Sequence, residues 1–302
     1  MNGLINVYKE AGFTSMDVVA KLRGILKTRK IGHTGTLDPD ATGVLPVCVG
    51  YATKLCDMLT DRDKEYVAEL LLGVMTDTLD ISGQILATSE VTVSAEQIRE
   101  AVSFFVGGYD QIPPMYSALK INGQKLCDLA RNGKEVERKP RHVEIYSIDI
   151  EKIELPVVTI RVHCGKGTYI RSLCDDIGRR LGCGGCMRTL VRTKAAGFEI
   201  DNAYTLSEIE KMRDSGEIEE HITSVEYVFR DLPAYASAPE YEKLLQNGNP
   251  IGTNQVISCD SVMSEPSENE NERVRIYHAD GRFCGVFTKN GRFYKPEKIF
   301  EL

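Results

Sequence analysis

Two rhythms of apolar residues organise the first two thirds of the chain. Residues 3–9, "GLINVYK", read as a strand. In "TSMDVVAKLRGILK" (14–27), Val18, Val19, Leu22, Ile25 and Leu26 fall on one helical stripe, with Thr14 and Asp17 at capping-box spacing. "VLPVCVG" (44–50) predicts a buried strand, "YATKLCDML" (51–59) a short helix and "KEYVAELLLG" (64–73) an alternating strand. "SAEQIREAVSFFVGG" (94–108) predicts a helix opened by Ser94 and Gln97 and stopped by Gly107 and Gly108. Two strands follow at 142–154 and 157–164. Next come a helix over 168–182, capped by Thr168 and with Ile170, Leu173, Ile177 and Leu181 on one face, and a strand from 189. After about residue 230 the pattern shortens. Asp280-Gly281 and Asn290-Gly291 mark hairpins between alternating apolar residues, and "SEPSENENE" (264–272) reads as a polar surface loop.

Two stretches break the rhythm. "GHTGTLDPDATGVLP" (32–46) mixes glycine, proline, threonine and aspartate in a way no regular element favours. Residues 109–142 are basic and flanked by prolines, and read as an excursion from the main fold.

Charge sharpens this picture. The 302 residues carry a formal net charge of -7, which alone argues against a polyanionic partner. The distribution argues the other way. "KLRGILKTRK" (21–30) has no acid, and between Arg161 and Lys194 eight Lys or Arg face only Asp175 and Asp176. Such segregation presents positive surface on an acidic chain, although solvated helix faces would read the same. Nine dispersed cysteines and no membrane-length apolar run or signal peptide predict a reducing cytoplasmic setting. Cys183 and Cys186 form a lone CxxC without a second pair, so no metal site is expected.

The candidate chemistry centres on Asp38. A carboxylate in a shaped loop serves as nucleophile, general base or metal ligand; an Asp-Pro turn is the plain alternative. The loop's glycines permit close approach of a backbone or a ligand. Arg171 in a helical first turn opposes the helix dipole, which points to a carboxylate or phosphate partner, with a surface arginine as the plain alternative. Tyr66, in a strand, reads as core or as a stacking ring.

Together these stretches resemble the TruB family of bacterial tRNA pseudouridine-55 synthases. "GHTGTLDPDATGVLPVCVGYATK", "KEYVAELLLGVMTDTLDISGQ", "GKGTYIRSLCDDIGRRLG", "MRTLVRTKAAGF" and "NVYKEAGFTSMDVV" are similar to its motifs in matching order. One departure is Lys9-Glu10, where the family usually has Lys-Pro. The resemblance implies an α/β fold with a mixed, mostly antiparallel sheet and central cleft over residues 1–230, with the basic insertion at about 109–142. A small β-rich, PUA-like RNA-binding domain would span 231–302. It implies isomerisation of a T-loop uridine after base flipping, without cofactor or metal, by a monomer acting on the T arm of tRNA. Asp38 is the implied nucleophile, Arg171 its ion-pair partner and Tyr66 the ring against the base. His33 is implied to fill the vacated stack, although a turn histidine would read the same locally. Tyr169 and Leu190 are implied as pocket walls, with Lys9 and Lys120 supporting loop or RNA contacts. Asp40 gains no role. The alternative is a T-arm-binding folding factor that acts without chemistry.

Overall fold

The computed structural model describes residues 1–121, 123–259 and 269–300. Strand β1 (Gly3–Lys9) leads to helix α1 (Ser15–Ile25). Thr14 and Asp17 form the expected capping box, which satisfies backbone groups that a helix end otherwise leaves open. Strand β2 (Ile31–His33) precedes the 34–41 loop and β3 (Thr42–Val49) follows it. A 3-10 turn then runs into α2 (Cys56–Thr60), and β4 (Lys64–Leu72) alternates strictly, with Tyr66, Ala68, Leu70 and Leu72 inward. A hairpin, β5 (Val74–Thr76) and β6 (Ile85–Thr88), precedes α3 (Ala95–Ser103) and β7 (Gly107–Gln111).

The chain leaves the sheet after Gln111 and rejoins it at Arg141, which places the excursion at 112–140 and returns Tyr109–Gln111 to the fold. It contains a minimal hairpin, β8 (Lys120–Ile121) and β9 (Gln124–Lys125), and the short α4 (Leu126–Arg131). Strands β10 (Arg141–Glu154) and β11 (Val157–Cys164) lead to α5 (Ile170–Arg180), β12 (Gly185–Ala195), β13 (Phe198–Glu199) and α6 (Leu206–Ser215). Thr168 does not cap α5. Its hydroxyl donates to the Gly165 carbonyl at 3.1 Å within the entry turn, and the N-cap position falls to Tyr169.

The main sheet has nine strands, ordered β1-β3-β12-β4-β11-β10-β7, with β2 on β3 and β13 on β12. Every described pairing in it is antiparallel except β3 with β12. Antiparallel neighbours can be joined by short turns, whereas a parallel pair needs a long connection; β3 ends at Val49 and its parallel partner β12 begins only at Gly185. The face of β4, β11 and β12 packs α3 and α5 over Leu70, Ile98, Ile160, Leu173 and Ile177. Helices α1 and α6 cover β1 and β3.

A second sheet is built after residue 233: β14 (Ala234–Ser237), then α7 (Glu242–Gln246), β15 (Ile251–Gly252), β16 (Val256–Ser258), β17 (Arg273–Tyr277), β18 (Phe283–Asn290) and β19 (Phe293–Ile299). Both expected turns form here, with Gly281 and Gly291 at positive φ. The polar 264–272 loop lies largely outside the described residues. Val286 and Phe300 pack with Phe229 against Leu4, Cys48 and Leu55 of the first unit, so an apolar seam joins the two sheets.

Candidate active site

Asp38 and Arg171, 133 positions apart, meet in a two-pronged ion pair. Arg171 Nε lies 2.9 Å from Asp38 Oδ2, and Nη2 donates to Oδ1 at 3.1 Å. Parallel bonds of this kind fix orientation as well as charge. The guanidinium is 5% exposed, whereas the Asp38 side chain keeps 37% of its surface open. The carboxylate is therefore neutralised on one side and accessible on the other. Arg171 also donates through Nη1 to the Thr78 carbonyl at 3.1 Å and to Asp80 Oδ2 at 3.4 Å, and through Nη2 to the Tyr116 carbonyl at 2.8 Å. These partners explain an arginine that the α5 dipole disfavours: its first turn carries no acid of its own. Burial pushes the Asp38 carboxyl above its ordinary range; Arg171 opposes that rise and Asp80 adds to it.

Behind Asp38 the loop is bonded at almost every residue to the body of the protein. Ser15 Oγ accepts from the Leu37 N–H at 2.9 Å. Lys9, fully buried, donates from Nζ to the carbonyls of Pro39 at 2.8 Å, Ala41 at 2.6 Å and Glu10 at 3.0 Å. Its ammonium is a strut beneath the loop, with no surface to offer RNA, and it keeps this role although Glu10 stands at the family's proline position. Desolvation lowers its pKa to about 8. Arg192, 1% exposed, donates to the carbonyls of Val44 at 2.6 Å and Gly35 at 3.3 Å. Asp40 is exposed, as expected.

The sheet register places the remaining candidate residues. Tyr66 and Leu190 lie on the same inner surface: Leu190 pairs with Ala68, and Arg192 lies directly across from Tyr66. Tyr66 is 7% exposed and Leu190 8%, both in the cluster that includes Leu37 and Ile170. Burial raises the Tyr66 phenol to about 12, so it is a neutral hydroxyl beside a buried guanidinium. Tyr169 is half-buried at the start of α5, and burial raises its phenol as well. His33 is half-buried in the same loop as Asp38. Its Nδ1 accepts from the Gly35 N–H at 3.3 Å, and burial lowers its pKa, which leaves a neutral ring with the proton on Nε2. Lys120 is exposed on the β8–β9 hairpin, away from this set.

Three contributors were not singled out from the sequence. Arg192 stands two residues after Leu190, an inward position of an alternating strand, where a charge signals a buried partner. Asp80 lies within the tyrosine-bearing stretch, and Gln111 ends β7. Two loop glycines also have a different cause from ligand approach. A Cβ on Gly43, at φ +104°, would sit 2.2 Å from the Arg192 carbonyl, and one on Gly32 would sit 2.9 Å from Cys56 Sγ. They admit the protein's own neighbours. Among the described residues no group of three or more His, Cys, Asp or Glu is arranged to hold a metal ion, and no helix is long and apolar enough to cross a membrane.

Comparison with known proteins gives the family. The model of the TruB family pseudouridylate synthase N-terminal domain matches residues 23–170, and that of the tRNA pseudouridylate synthase B C-terminal domain matches residues 171–230. The chain is 50% identical to the tRNA pseudouridine synthase B of Lachnoclostridium phytofermentans, over 99% of this chain and 100% of that protein. The chain belongs to the TruB family of pseudouridylate synthases. The tRNA pseudouridine synthase B of Clostridium novyi is 44% identical over 99% of each chain. Among solved structures, a chain of a Cbf5-Nop10-Gar1 complex superposes with a TM-score of 0.75 at 27% identity, over 99% of this chain and 85% of that chain. A chain of an H/ACA RNP bound to a substrate RNA containing 2'-deoxyuridine gives 0.74 at 25% identity, over 99% and 85%. The protein is thus an enzyme of uridine isomerisation on a pseudouridine synthase fold. The two matched segments meet inside α5, so Asp38 and Arg171 come from different ones.

Proposed function

We propose that the substrate is a uridine in the T loop of tRNA, at position 55, and that Asp38 is the nucleophile. The observation that carries this reading is the Asp38–Arg171 pair: an oriented carboxylate with one open side, in an otherwise polar-bonded loop. In the reaction the N1 glycosidic bond breaks with its electron pair left on the base, the base turns, C5 joins the ribose, the C5 proton leaves to solvent and N1 ends protonated. The target atoms are out of reach in a stacked loop, so the base is flipped out at a cost of a few kcal/mol. His33 fills the gap; its neutral ring suits a stacked position. Tyr66 and Leu190 form the apolar floor for the flipped base and Tyr169 a wall. The Tyr66 hydroxyl, protonated in the free protein, serves as a donor. The 112–140 excursion, with Lys120, closes over the T arm through phosphate contacts. Residues 1–230 form the catalytic domain and 231–302 a PUA-like RNA-binding unit, and the enzyme works as a cytoplasmic monomer.

The test uses unmodified tRNA tritiated at uridine C5, from which pseudouridine formation releases the label. Wild type should release one equivalent from a transcript with an intact T loop and none when that uridine is replaced. Asp38→Ala should release none while still binding tRNA. Turnover by Asp38→Ala would remove the nucleophile assignment. Binding and folding of tRNA without any release by wild type would favour the folding-factor reading.

A further inference from the structure

The segment that leaves β7 for the excursion crosses the N-terminus of α5, and its contacts form a series. Gln111 is 1% exposed, and its side-chain amide pairs with the backbone of Tyr169 as a neighbouring strand would. Oε1 accepts from the Tyr169 N–H at 2.8 Å, and Nε2 donates to the Tyr169 carbonyl at 3.1 Å. The other Nε2 hydrogen goes to the Tyr109 hydroxyl, which donates to Asp176 Oδ2 at 3.3 Å. One residue on, the Ile112 carbonyl accepts from Ser172 Oγ at 2.9 Å. Further along, the Tyr116 carbonyl accepts from Arg171 at 2.8 Å. Residues 111, 112 and 116 thus grip residues 169, 172 and 171.

This grip replaces a local device. Most helix starts are fixed by a Ser, Thr, Asp or Asn at the N-cap, worth about 1 kcal/mol. The N-cap of α5 is Tyr169, which makes no side-chain cap bond. The helix end that carries Tyr169 and Arg171 is instead held by a residue 58 positions earlier. Three of the amide's four hydrogen-bonding capacities are used, both N–H donors among them, so its orientation is determined. A one-ångström drift at Tyr169 would reach Arg171, and through it Asp38, and positional errors of that size cost about 100-fold in rate.

We infer that Gln111 is a positioning residue for uridine isomerisation, tying the root of the 112–140 excursion to Tyr169 and Arg171 so that the start of α5 is held in register with Asp38. It acts through the Tyr169 backbone and touches no reacting atom. The inference rests on the reading of Asp38 and Arg171 as the reacting pair.

The experiment compares full-length wild type, Gln111→Ala, Gln111→Glu and Asp38→Asn in single-turnover tritium release from C5-labelled tRNA transcript. Binding of the same transcript is measured in parallel. For Gln111→Ala the rate constant should fall about 30-fold, with the dissociation constant changed by less than about 3-fold and full reaction amplitude. Gln111→Glu can accept from the Tyr169 N–H but cannot donate to its carbonyl, so its rate should lie between the two. A merely structural role would lower the amplitude, through a misfolded fraction, and leave the rate constant alone. That result overturns the inference, as does a Gln111→Ala rate within about 2-fold of wild type. Asp38→Asn separates the two readings. If it is inactive while Gln111→Ala is unimpaired, only the positioning role fails; if it turns over, the reacting pair itself is wrong.

Discussion

Two irregular segments border the pocket, and they are held in opposite ways. The 34–41 loop is bonded to the protein body through Ser15, Lys9 and Arg192, with Leu37 in the core. The excursion is anchored only at its root. Among the described residues, the hydrogen bonds of 118–140 stay within 113–140, for instance Cys127 N–H to the Ser117 carbonyl at 3.0 Å and Arg138 to the Pro113 carbonyl at 3.2 Å. Its main buried side chain beyond the root is Leu126. On the proposed reading of Asp38 as the reacting group, its loop is built before substrate arrives, so its charge is oriented without reorganisation during the reaction. On the same reading, the segment proposed to meet the RNA is the one with few bonds to the protein body. Fewer buried apolar contacts and exposed backbone bonds are what place a segment at the low-stability end of a fold.

The sharpest way to break the comparison is at the rigid side. Arg171→Lys keeps one positive charge but loses the fork that holds both Asp38 oxygens, together with the bonds to Thr78 and Tyr116. Turnover should fall by about 100-fold or more, with tRNA affinity nearly unchanged, in the tritium-release and filter-binding assays. Near-normal turnover would mean that Arg171 neutralises without orienting.

Lys9→Met tests the strut itself. It removes the buried donor of the Ala41 carbonyl and leaves the Pro39 carbonyl with the Gly12 N–H, a loss of about 2 kcal/mol. Thermal unfolding should drop by about 5 °C in a chain of this size, with turnover falling alongside. An unchanged midpoint would show that the loop is held by its other contacts.

Much of the loop's importance was legible in the sequence, and much of its cause was not. The helix stripes, the capping box of α1 and the β4 alternation follow from local spacing, so residues 14–27 and 64–73 could be placed from periodicity. The link from Asp38 to Arg171 was suggested by an arginine against a helix dipole and made specific by family resemblance. The braces are different. Lys9 sits in an apolar strand where its side chain could face either way, and only the position of the 34–41 carbonyls decides that it points inward. Gly43 looked like an opening toward ligand, but its reason is the Arg192 backbone on β12, a parallel neighbour 149 positions away in the chain. Thr168 had the right chemistry for a cap, but the N-cap is Tyr169, held by a side chain, Gln111, that no local pattern connects to α5. Long-range polar contacts have no period, which is why they escape a reading built on periods.

A finer test concerns the electrostatics of the rigid side. As the proposed nucleophile Asp38 acts in its ionised form, and burial with the Asp80 charge holds its carboxyl above the usual range. Its pKa is raised, so the rate should begin to fall, as pH decreases, at a higher pH than a free aspartate would give. Asp80→Asn removes one raising influence and should move that acid limb to lower pH. A limb that moves upward instead would show that Asp80 acts chiefly by holding Arg171 in place, which then loosens its grip on Asp38.

The smallest effects belong to the mobile side, and their smallness is the point. Residues 118–140 carry six Lys or Arg against three Asp or Glu, and Lys120 and Lys125 are exposed. If the excursion works by phosphate contact, Lys120→Ala should weaken tRNA binding only a few-fold and reduce the steepness of its salt dependence by about one ion. Maximal turnover should be unchanged, because no bond of Lys120 reaches the pocket. The unfolding midpoint should stay within about 1 °C, as for most exposed substitutions. Lys120→Ala and Lys125→Ala together should add, since mobile, solvated charges share no geometry that would couple them. A larger than additive loss, or a loss in turnover rather than binding, would show that the excursion docks as an ordered body on RNA, with the same preorganisation that distinguishes the Asp38 loop.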